Sequence, residues 1–512
     1  MFKSLFLILF FPVKLVAFEW PVSSPELEGI SLEGINQAHQ LIQSGAYGNI
    51  QSLLIIKNGK LISERYFNNN GEKAPIYSVT KSVGSILLGI AKYQGAELNT
   101  NNSMMNYMPE YANISDFINK QKITIKDLLT QRHGLDWDEL SIAYETPSNP
   151  ITIMLNTLNW YQTVLEWPIR DLPNQKFAYS TGASSLMSVV LKNLTNLSPY
   201  EYASEHLFQP LDIQLIDTHW ELVGGLGTIG QGISVFPDNL EPLGFGLWLK
   251  PIDMAKLGEL YLNKGLWQGQ RLLEESWIDK SIFPYSNGVT DPDFFGDSNS
   301  GYGYQWWTTL FRDTSNRSFN AYYANGYGRQ FIFVFPESQM VIVSTARDFS
   351  YTGAGIGTLL RENLLPALSS GAQGYIPINK NINGSWYWPE NTGQGFNIEV
   401  LENRNEVLAY WYTYEKDTEK QRWFIMQGEI VNNKAQLSIL STTGSSFVFS
   451  EPPDVLEWGT GEMFFDTCQT GTFVFTSSIE DVSAEIPMTR LTGIENCNES
   501  SKVNPNKLSY IH

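Results

Sequence analysis

The sequence contains YSVTKSV at residues 77–83, followed at once by an apolar stretch over residues 84–93. Apolar side chains recur there at helical spacing, which predicts a helix over residues 79–92 that begins beside Ser78. Ser78 and Lys81 are three residues apart and therefore share one face of that helix. Free backbone N–H groups at a helix start can stabilise an oxyanion, and a desolvated lysine can act as a base. A helix cap followed by a solvated lysine is the alternative interpretation.

Two further motifs follow in the chain. FAYSTG at residues 177–182 precedes a helical pattern over residues 184–194, and YANGYG at residues 323–328 runs into a strand-like segment over residues 331–335. Together with residues 77–83, these segments form an ordered set of three motifs, each next to a predicted helix or strand.

This ordered set resembles the motifs of serine hydrolases related to class C β-lactamases and penicillin-binding proteins. Four intervening segments also fit that family: ITIKDLLTQRHGL at 123–135, EHLFQPL at 205–211, GLWLKPIDMA at 246–255 and YGYQWW at 302–307. The resemblance covers about residues 30–365. It implies an acyl-serine mechanism with no metal and no organic cofactor.

The resemblance assigns roles to individual residues. Ser78 matches the nucleophile, Lys81 its partner, and Tyr179 the tyrosine that acts as general base or as proton carrier to the leaving group. The backbone N–H groups of Ser78 and Tyr327 would form the oxyanion hole. For Tyr179 to act as a phenolate, its pKa must fall by about 3 from a value near 10, which the ammonium of Lys81 would favour.

Two positions depart from the lactamase pattern. Thr181 stands where the second motif usually has Asn, and Ala324-Asn325-Gly326 stands where the third is usually Lys-Thr-Gly or His-Thr-Gly. Loss of the cation weakens the capture of a substrate carboxylate, unless Arg329 supplies that charge. We therefore expect small esters or amides as substrates, with Thr181, Asn325 and Gly326 binding them, as in the esterases and 6-aminohexanoate-dimer hydrolases of the family.

Two other functions stay open at this point. One is a β-lactamase or D-Ala-D-Ala peptidase. The other is a secreted sensor or binding protein in which Ser78 is acylated but never turned over. Retention of Ser78, Lys81 and Tyr179 together favours turnover.

Several polar residues near these motifs have two interpretations each. Asp136 and Asp138 could line the pocket, or they could lie on a solvated loop. His133 could be a general acid, or it could only be a neighbour of the site. Three aspartates have spacing loosely like that of a calcium loop, although an acidic surface loop is the simpler interpretation: Asp291, Asp293 and Asp297.

Composition limits the other classes of function. The chain has 512 residues, 34 basic against 53 acidic, and a net charge of −19. Binding to nucleic acid or to anionic membranes is therefore not expected.

Residues 1–17 match a secretory signal peptide, with an apolar run that is too short for a membrane span, so we expect a secreted or periplasmic protein. A buried N-terminal helix is the alternative. In that compartment Cys468 and Cys497 would form a disulfide, and two free thiols are the other interpretation.

The arrangement of strand-like and helix-like segments along the chain predicts two domains. Residues 18–368 have strands at both ends and helices between them, beginning with a hairpin over residues 52–67. This predicts an α/β (α+β) fold in which helices flank an antiparallel sheet and a helical segment is inserted. Residues 369–383 read as a linker, and residues 384–500 as an accessory all-β domain of antiparallel strands. Its aromatic side chains form a core or, alternatively, a platform for carbohydrate or cell-wall contact.

Overall fold

The computed structural model describes residues 18–492, except 69, 222–239, 290, 292–299, 350–353, 369–375, 377, 390, 392, 417, 419, 432–433, 444–453, 466 and 478. The predicted signal peptide and most of the predicted linker lie outside the described residues. No helix in the part that is described is both long enough and apolar enough to cross a membrane.

The α-helices of the described part are numbered α1 to α11 in chain order: Leu32–Gln43, Val79–Tyr93, Phe117–Lys120, Ile125–Leu129, Pro150–Leu155, Trp160–Leu165, Thr181–Thr195, Pro199–Ala203, Pro251–Leu262, Glu275–Ile282 and Ile356–Leu359. Helix α8 continues into a π-helical turn over Ser204–Phe208, and α11 into another over Leu360–Leu364. Short 3₁₀ turns occupy Pro25–Glu28, Met104–Tyr107, Pro109–Tyr111, Leu215–Asp217, Lys380–Ile382 and Glu402–Arg404.

The strands of the first domain are numbered β1 to β13 in chain order: Ile50–Lys57, Lys60–Tyr66, Ala74–Pro75, His219–Trp220, Leu247–Leu249, Leu266–Trp267, Gln270–Arg271, Ser286–Val289, Ser300–Tyr302, Trp307–Arg312, Ser318–Gly326, Gln330–Phe335 and Met340–Ala346. The main sheet has the order β2-β1-β13-β12-β11-β10-β9-β8, and its pairs are antiparallel. Strand β1 pairs with β13, so the two ends of the domain meet in one sheet. The predicted sheet with a helical insertion is confirmed.

The continuous apolar run in β1 is explained by burial on both faces of the sheet. Leu54 and Ile56 belong to the hydrophobic core that contains α2, α7 and α9. Leu53 and Ile55 point to the opposite core, which contains α1 and the helix over residues 356–364. Because side chains alternate along a strand, a strand covered on both faces loses the alternation of polar and apolar residues.

The C-terminal domain is a closed barrel of strands β14 to β21: Gly384–Tyr387, Gly395–Leu401, Glu406–Tyr414, Gln421–Val431, Lys434–Thr443, Asp454–Phe465, Thr470–Ser477 and Val482–Arg490. Each strand pairs with the next, and β21 closes on β14. The predicted all-β domain is therefore present.

The barrel's aromatic side chains divide between its two faces. Trp386 and Trp411 are buried in its core, whereas Tyr412 and Trp423 are cross-strand neighbours that are about half exposed. The inner set fills the core, as strand aromatics commonly do, and carbohydrate contact by the outer set stays a prediction. Cys468 is disulfide-bonded, and the only other cysteine of the chain, Cys497, lies outside the described residues.

Candidate active site

Ser78 lies directly before α2, at a turn with unusual backbone geometry. Tyr77 has a φ of 47°, in the left-handed region that a bulky side chain rarely adopts, and such geometry concentrates at functional sites. The Ser78 side chain makes no capping hydrogen bond to the helix. Lys81, one turn later, is 1% exposed. The alternative of a helix cap with a solvated lysine is therefore wrong.

Lys81 is held by three hydrogen bonds. Its Nζ lies 2.9 Å from Ser78 Oγ, 2.9 Å from Thr181 Oγ1 and 2.8 Å from the carbonyl oxygen of Gly244. Burial lowers the pKa of Lys81 to about 8, although the nearby charge of Glu139 opposes the effect. A substantial neutral fraction near pH 8 makes this amine able to accept a proton.

A buried carboxylate lies behind this lysine. Glu139 accepts hydrogen bonds from the backbone N–H of Thr181 at 2.7 Å, from Thr181 Oγ1 at 2.8 Å and from Trp137 Nε1 at 2.6 Å. Burial raises the pKa of Glu139, while Lys81 and these donors lower it. Three donors that converge on its two oxygens fit an ionised carboxylate, which can only accept.

The sequence analysis missed Glu139 and considered its neighbours instead. Asp136 is exposed and pairs with Arg170 at 3.0 Å, and the exposed Asp138 accepts a hydrogen bond from Ser141. Neither lines the cavity described below. Burial alternates along this extended segment, so Trp137 and Glu139 point inward together. A tryptophan two residues before a carboxylate was the available signal.

Tyr179 packs against the nucleophile from the side of the sheet. The ring of Tyr179 stacks on that of Trp307, with 5.8 Å between the two centroids, and Lys81 Nζ lies 4.9 Å from the centroid of the Tyr179 ring. Burial, together with the nearby Tyr302, raises the pKa of Tyr179 well above its usual value, and a hydrogen bond with Ser78 only partly opposes this. The fall in the pKa of Tyr179 that a phenolate base would require is therefore not found. At neutral pH this residue is a phenol, which suits a proton carrier better than a phenolate base.

The third motif closes the other side of the site. Gly326 ends β11, and a Cβ there would lie 2.2 Å from the carbonyl oxygen of Ile76, so only glycine permits this close approach to the turn before Ser78. Tyr327 follows it, and its hydroxyl donates to Glu145 Oε1 at 3.3 Å. The oxyanion-hole role of the Ser78 and Tyr327 N–H groups stays a prediction.

A cavity of about 260 Å³ opens at Ser78 and joins these residues. Its described lining is Ser78, Glu139, Leu140, Ile142, Ala143, Tyr144, Glu145, Tyr179, Asp291, Trp307, Asn325, Tyr327 and Phe349. Thr181 lines an adjoining pocket that also reaches Ser78. The cavity is large enough for a small substrate, and Ser78, Glu139 and Tyr179 all border it.

Two other polar residues named in the sequence analysis, His133 and Arg329, have structural roles. His133 is buried, its Nδ1 accepts from the N–H of Leu135, and its Nε2 lies 2.9 Å from the carbonyl oxygen of Ala178. Burial lowers its pKa to about 4, so it is a neutral structural residue rather than a general acid. Arg329 is buried and forms an ion pair with Asp348 at 3.0 Å. Its charge is therefore balanced by Asp348 and does not replace the missing cation of the third motif.

Asp291 has a different position from that expected. It is 2% exposed, in the cavity wall, and not on an acidic surface loop. Asp293 and Asp297 lie outside the described residues. Among the residues that the structure describes, no group of three or more His, Cys, Asp or Glu side chains is arranged to hold a metal ion.

Comparison with known proteins agrees with this geometry. The model of a family described as Beta-lactamase matches residues 43–359, more than half of the chain. Protein flp of Staphylococcus aureus strain MW2 is 27% identical over 175 residues, which cover 32% of this chain and 33% of that protein. The chain thus matches about a third of the length of this curated relative.

Solved structures are similar to this chain at low sequence identity. A protein from Bacillus anthracis, provisionally assigned as a 6-aminohexanoate-dimer hydrolase, superimposes with a TM-score of 0.50 and 18% identity, covering 67% of this chain and 85% of that one. A family VIII carboxylesterase has a TM-score of 0.49 and 12% identity, covering 68% of this chain and 99% of that one.

Proposed function

The chain belongs to the beta-lactamase family, and on that premise we propose that it is a serine hydrolase that cleaves small esters or amides through an acyl-serine intermediate. One observation carries the proposal. Lys81 is buried, with its pKa lowered to about 8, and its Nζ is 2.9 Å from Ser78 Oγ. A serine hydroxyl beside a lysine that can lose its proton is an activated nucleophile.

The hydrogen bonds around Lys81 indicate where its lone pair points. The Thr181 hydroxyl has one proton, which it donates to Glu139, so it can only accept from Lys81. The carbonyl oxygen of Gly244 also accepts only. Two N–H groups of the neutral amine are thus committed, and its lone pair can face Ser78 Oγ and receive the proton as Ser78 attacks the substrate carbonyl.

The remaining steps use groups already described. The backbone N–H groups of Ser78 and Tyr327 would stabilise the oxyanion of the tetrahedral intermediate. Tyr179, a neutral phenol hydrogen-bonded with Ser78, would pass a proton to the leaving group and recover one from Lys81. Water then attacks the acyl-serine, and the same groups act in reverse to release the acid.

The protein would act outside the cytoplasm, secreted or periplasmic. The signal-peptide pattern of residues 1–17 supports this location, and so does the disulfide at Cys468, because disulfides persist in oxidising compartments.

Replacement of the nucleophile tests the proposal. Ser78→Ala should abolish hydrolysis of p-nitrophenyl butyrate, measured by release of nitrophenolate, whereas Ser44→Ala, at an exposed serine, should leave the rate unchanged. EDTA should have no effect. Activity that survives in Ser78→Ala would show that another group performs the attack.

Intact mass measured over time after addition of an activated ester tests turnover. We expect a transient mass increase by one acyl group, lost as the ester is consumed. An adduct that persists after the ester is removed would instead indicate the sensor or binding protein.

A further inference from the structure

The charged side chains among the described lining residues of the cavity are of one sign. Three of these residues are carboxylic acids, Glu139, Glu145 and Asp291, and none is lysine, arginine or histidine. Lys81 lies behind Ser78, where Glu139 offsets its charge.

Asp291 fixes the orientation of the amide beside it. The nitrogen Nδ2 of Asn325 lies 2.8 Å and 2.9 Å from the two carboxylate oxygens of Asp291, and the Tyr323 hydroxyl donates to the same carboxylate at 3.0 Å. A carboxylate accepts hydrogen bonds but cannot donate them. Asn325 must therefore turn its nitrogen towards Asp291 and keep its oxygen for another partner.

That oxygen has no hydrogen-bond partner among the described residues. Asn325 is 7% exposed and lines the cavity, and no donor in the part of the chain that the structure describes reaches its Oδ1. A buried acceptor without a donor is unfavourable, so a ligand group that donates a hydrogen bond would be stabilised there. Asp291 next to it is also buried, and charges interact more strongly in such a medium than in water.

From this cavity wall we infer that the site selects substrates that carry a primary ammonium group near the scissile carbonyl, and that it discriminates against substrates with a carboxylate there. The ammonium would donate to Asn325 Oδ1 and be attracted by Asp291 and Glu145, whereas a carboxylate would meet an acceptor and two like charges. The inference rests on the proposed function, since it concerns the substrate of the Ser78 site.

Three matched boronic acids test it without requiring turnover: 3-(aminomethyl)-, 3-ethyl- and 3-carboxyphenylboronic acid. With each of them Ser78 Oγ forms a bond to boron, its proton passes to Lys81, and no group leaves, so the three adducts differ only in the charge of the arm. Titration calorimetry with the full chain should show the cationic reagent binding at least tenfold more tightly than the neutral one, and the anionic reagent most weakly. A flat series, or a preference for the carboxylate, overturns the inference.

Variants locate the source of the preference. Asp291→Asn should reduce the ratio of the affinities for the cationic and the neutral reagent about tenfold. Comparison of this ratio between the native protein and the variant also removes the effect of different intrinsic boron acidities. Because Asp291 is buried, its replacement can disturb folding, so Glu145→Gln at an exposed residue provides a second variant. We expect it to reduce the preference for the cationic reagent two- to threefold. The matched control, Asp138→Asn, lies outside the cavity and should change nothing. A preference that persists in both cavity variants overturns the inference.

The same titrations separate this inference from the proposed function. Neutral boronate that binds to the full chain but not to Ser78→Ala, with no charge preference, overturns the inference and leaves the serine hydrolase intact. Failure of all three reagents to bind overturns both.

Discussion

Replacement of Glu139 by glutamine should move the pH dependence of hydrolysis. The carboxylate of Glu139 and the ammonium of Lys81 both lie within 2.9 Å of Thr181 Oγ1, so they are about 6 Å or less apart. At an effective dielectric constant of about 20, that separation corresponds to about 2.8 kcal/mol. Since 1.36 kcal/mol equals one pH unit, Glu139→Gln should lower the pKa of Lys81 from about 8 to about 6.

The direction of the effect on activity follows from the role of Lys81. The rate rises with pH as Lys81 loses its proton, so the acid limb of kcat/KM should have its midpoint near pH 8 in the native protein and about two pH units lower in Glu139→Gln. The plateau should also fall by about tenfold or more, because the glutamine amide can donate to Thr181 Oγ1 and reverse the direction of that hydroxyl.

The assay is the pH profile of p-nitrophenyl butyrate hydrolysis from pH 5 to 9, with Asp138→Asn as the matched control. Asp138 is an exposed carboxylate one residue away, so its removal tests for a general change of surface charge. A purely structural role for Glu139 would lower the plateau without moving the limb. An unmoved limb, or a limb moved to higher pH, would refute the assignment of Lys81 as the titrating base.

Three further outcomes are expected. Gly326→Ala should cost about 1–3 kcal/mol of stability and most of the activity, because the new Cβ would lie 2.2 Å from the backbone oxygen of Ile76; an unchanged melting temperature and rate would contradict this. Nitrocefin should have a lower kcat/KM than p-nitrophenyl butyrate, since Arg329 is held by Asp348 and a lost charge-assisted contact costs about 1.5–3 kcal/mol; the reverse order would favour a β-lactamase. A chain truncated to residues 18–368 should keep kcat for p-nitrophenyl butyrate within about twofold, because the barrel has a hydrophobic core of its own; insolubility or a tenfold drop would show that the barrel completes the site.

The fold could be predicted because its signals are local. Helix α2 begins where the apolar periodicity begins, and the hairpin β1–β2 turns at Asn58 and Gly59, both with positive φ. The pairing of β1 with β13 followed from strands at both ends of the domain and helices between them. Ser78, Lys81 and Tyr179 could be named because their motifs, in this order along the chain, resemble those of a known family.

The acids of the site could not be predicted, since their role depends on burial and not on residue type. Glu139 ends the stretch over residues 136–139, in which the two aspartates face solvent while Trp137 and Glu139 are buried. Asp291 is 34 residues before Asn325 and reaches it only through the packing around β11. The direction of the Tyr179 pKa was wrong for the same reason, because the ammonium of Lys81 was weighed while desolvation was not.

Two of the side chains that depart from the lactamase motifs, Thr181 and Asn325, are each fixed by a buried carboxylate. A threonine hydroxyl can either donate or accept, and Glu139 takes its proton so that Thr181 accepts from Lys81. An asparagine amide can face either way, and Asp291 takes its nitrogen so that the oxygen is left over. In both cases a carboxylate, which can only accept hydrogen bonds, fixes whether the motif side chain offers a donor or an acceptor to the site. The function of each of these two motif residues therefore depends on a carboxylate that is distant in sequence, and the chemistry of the site is specified by such pairs.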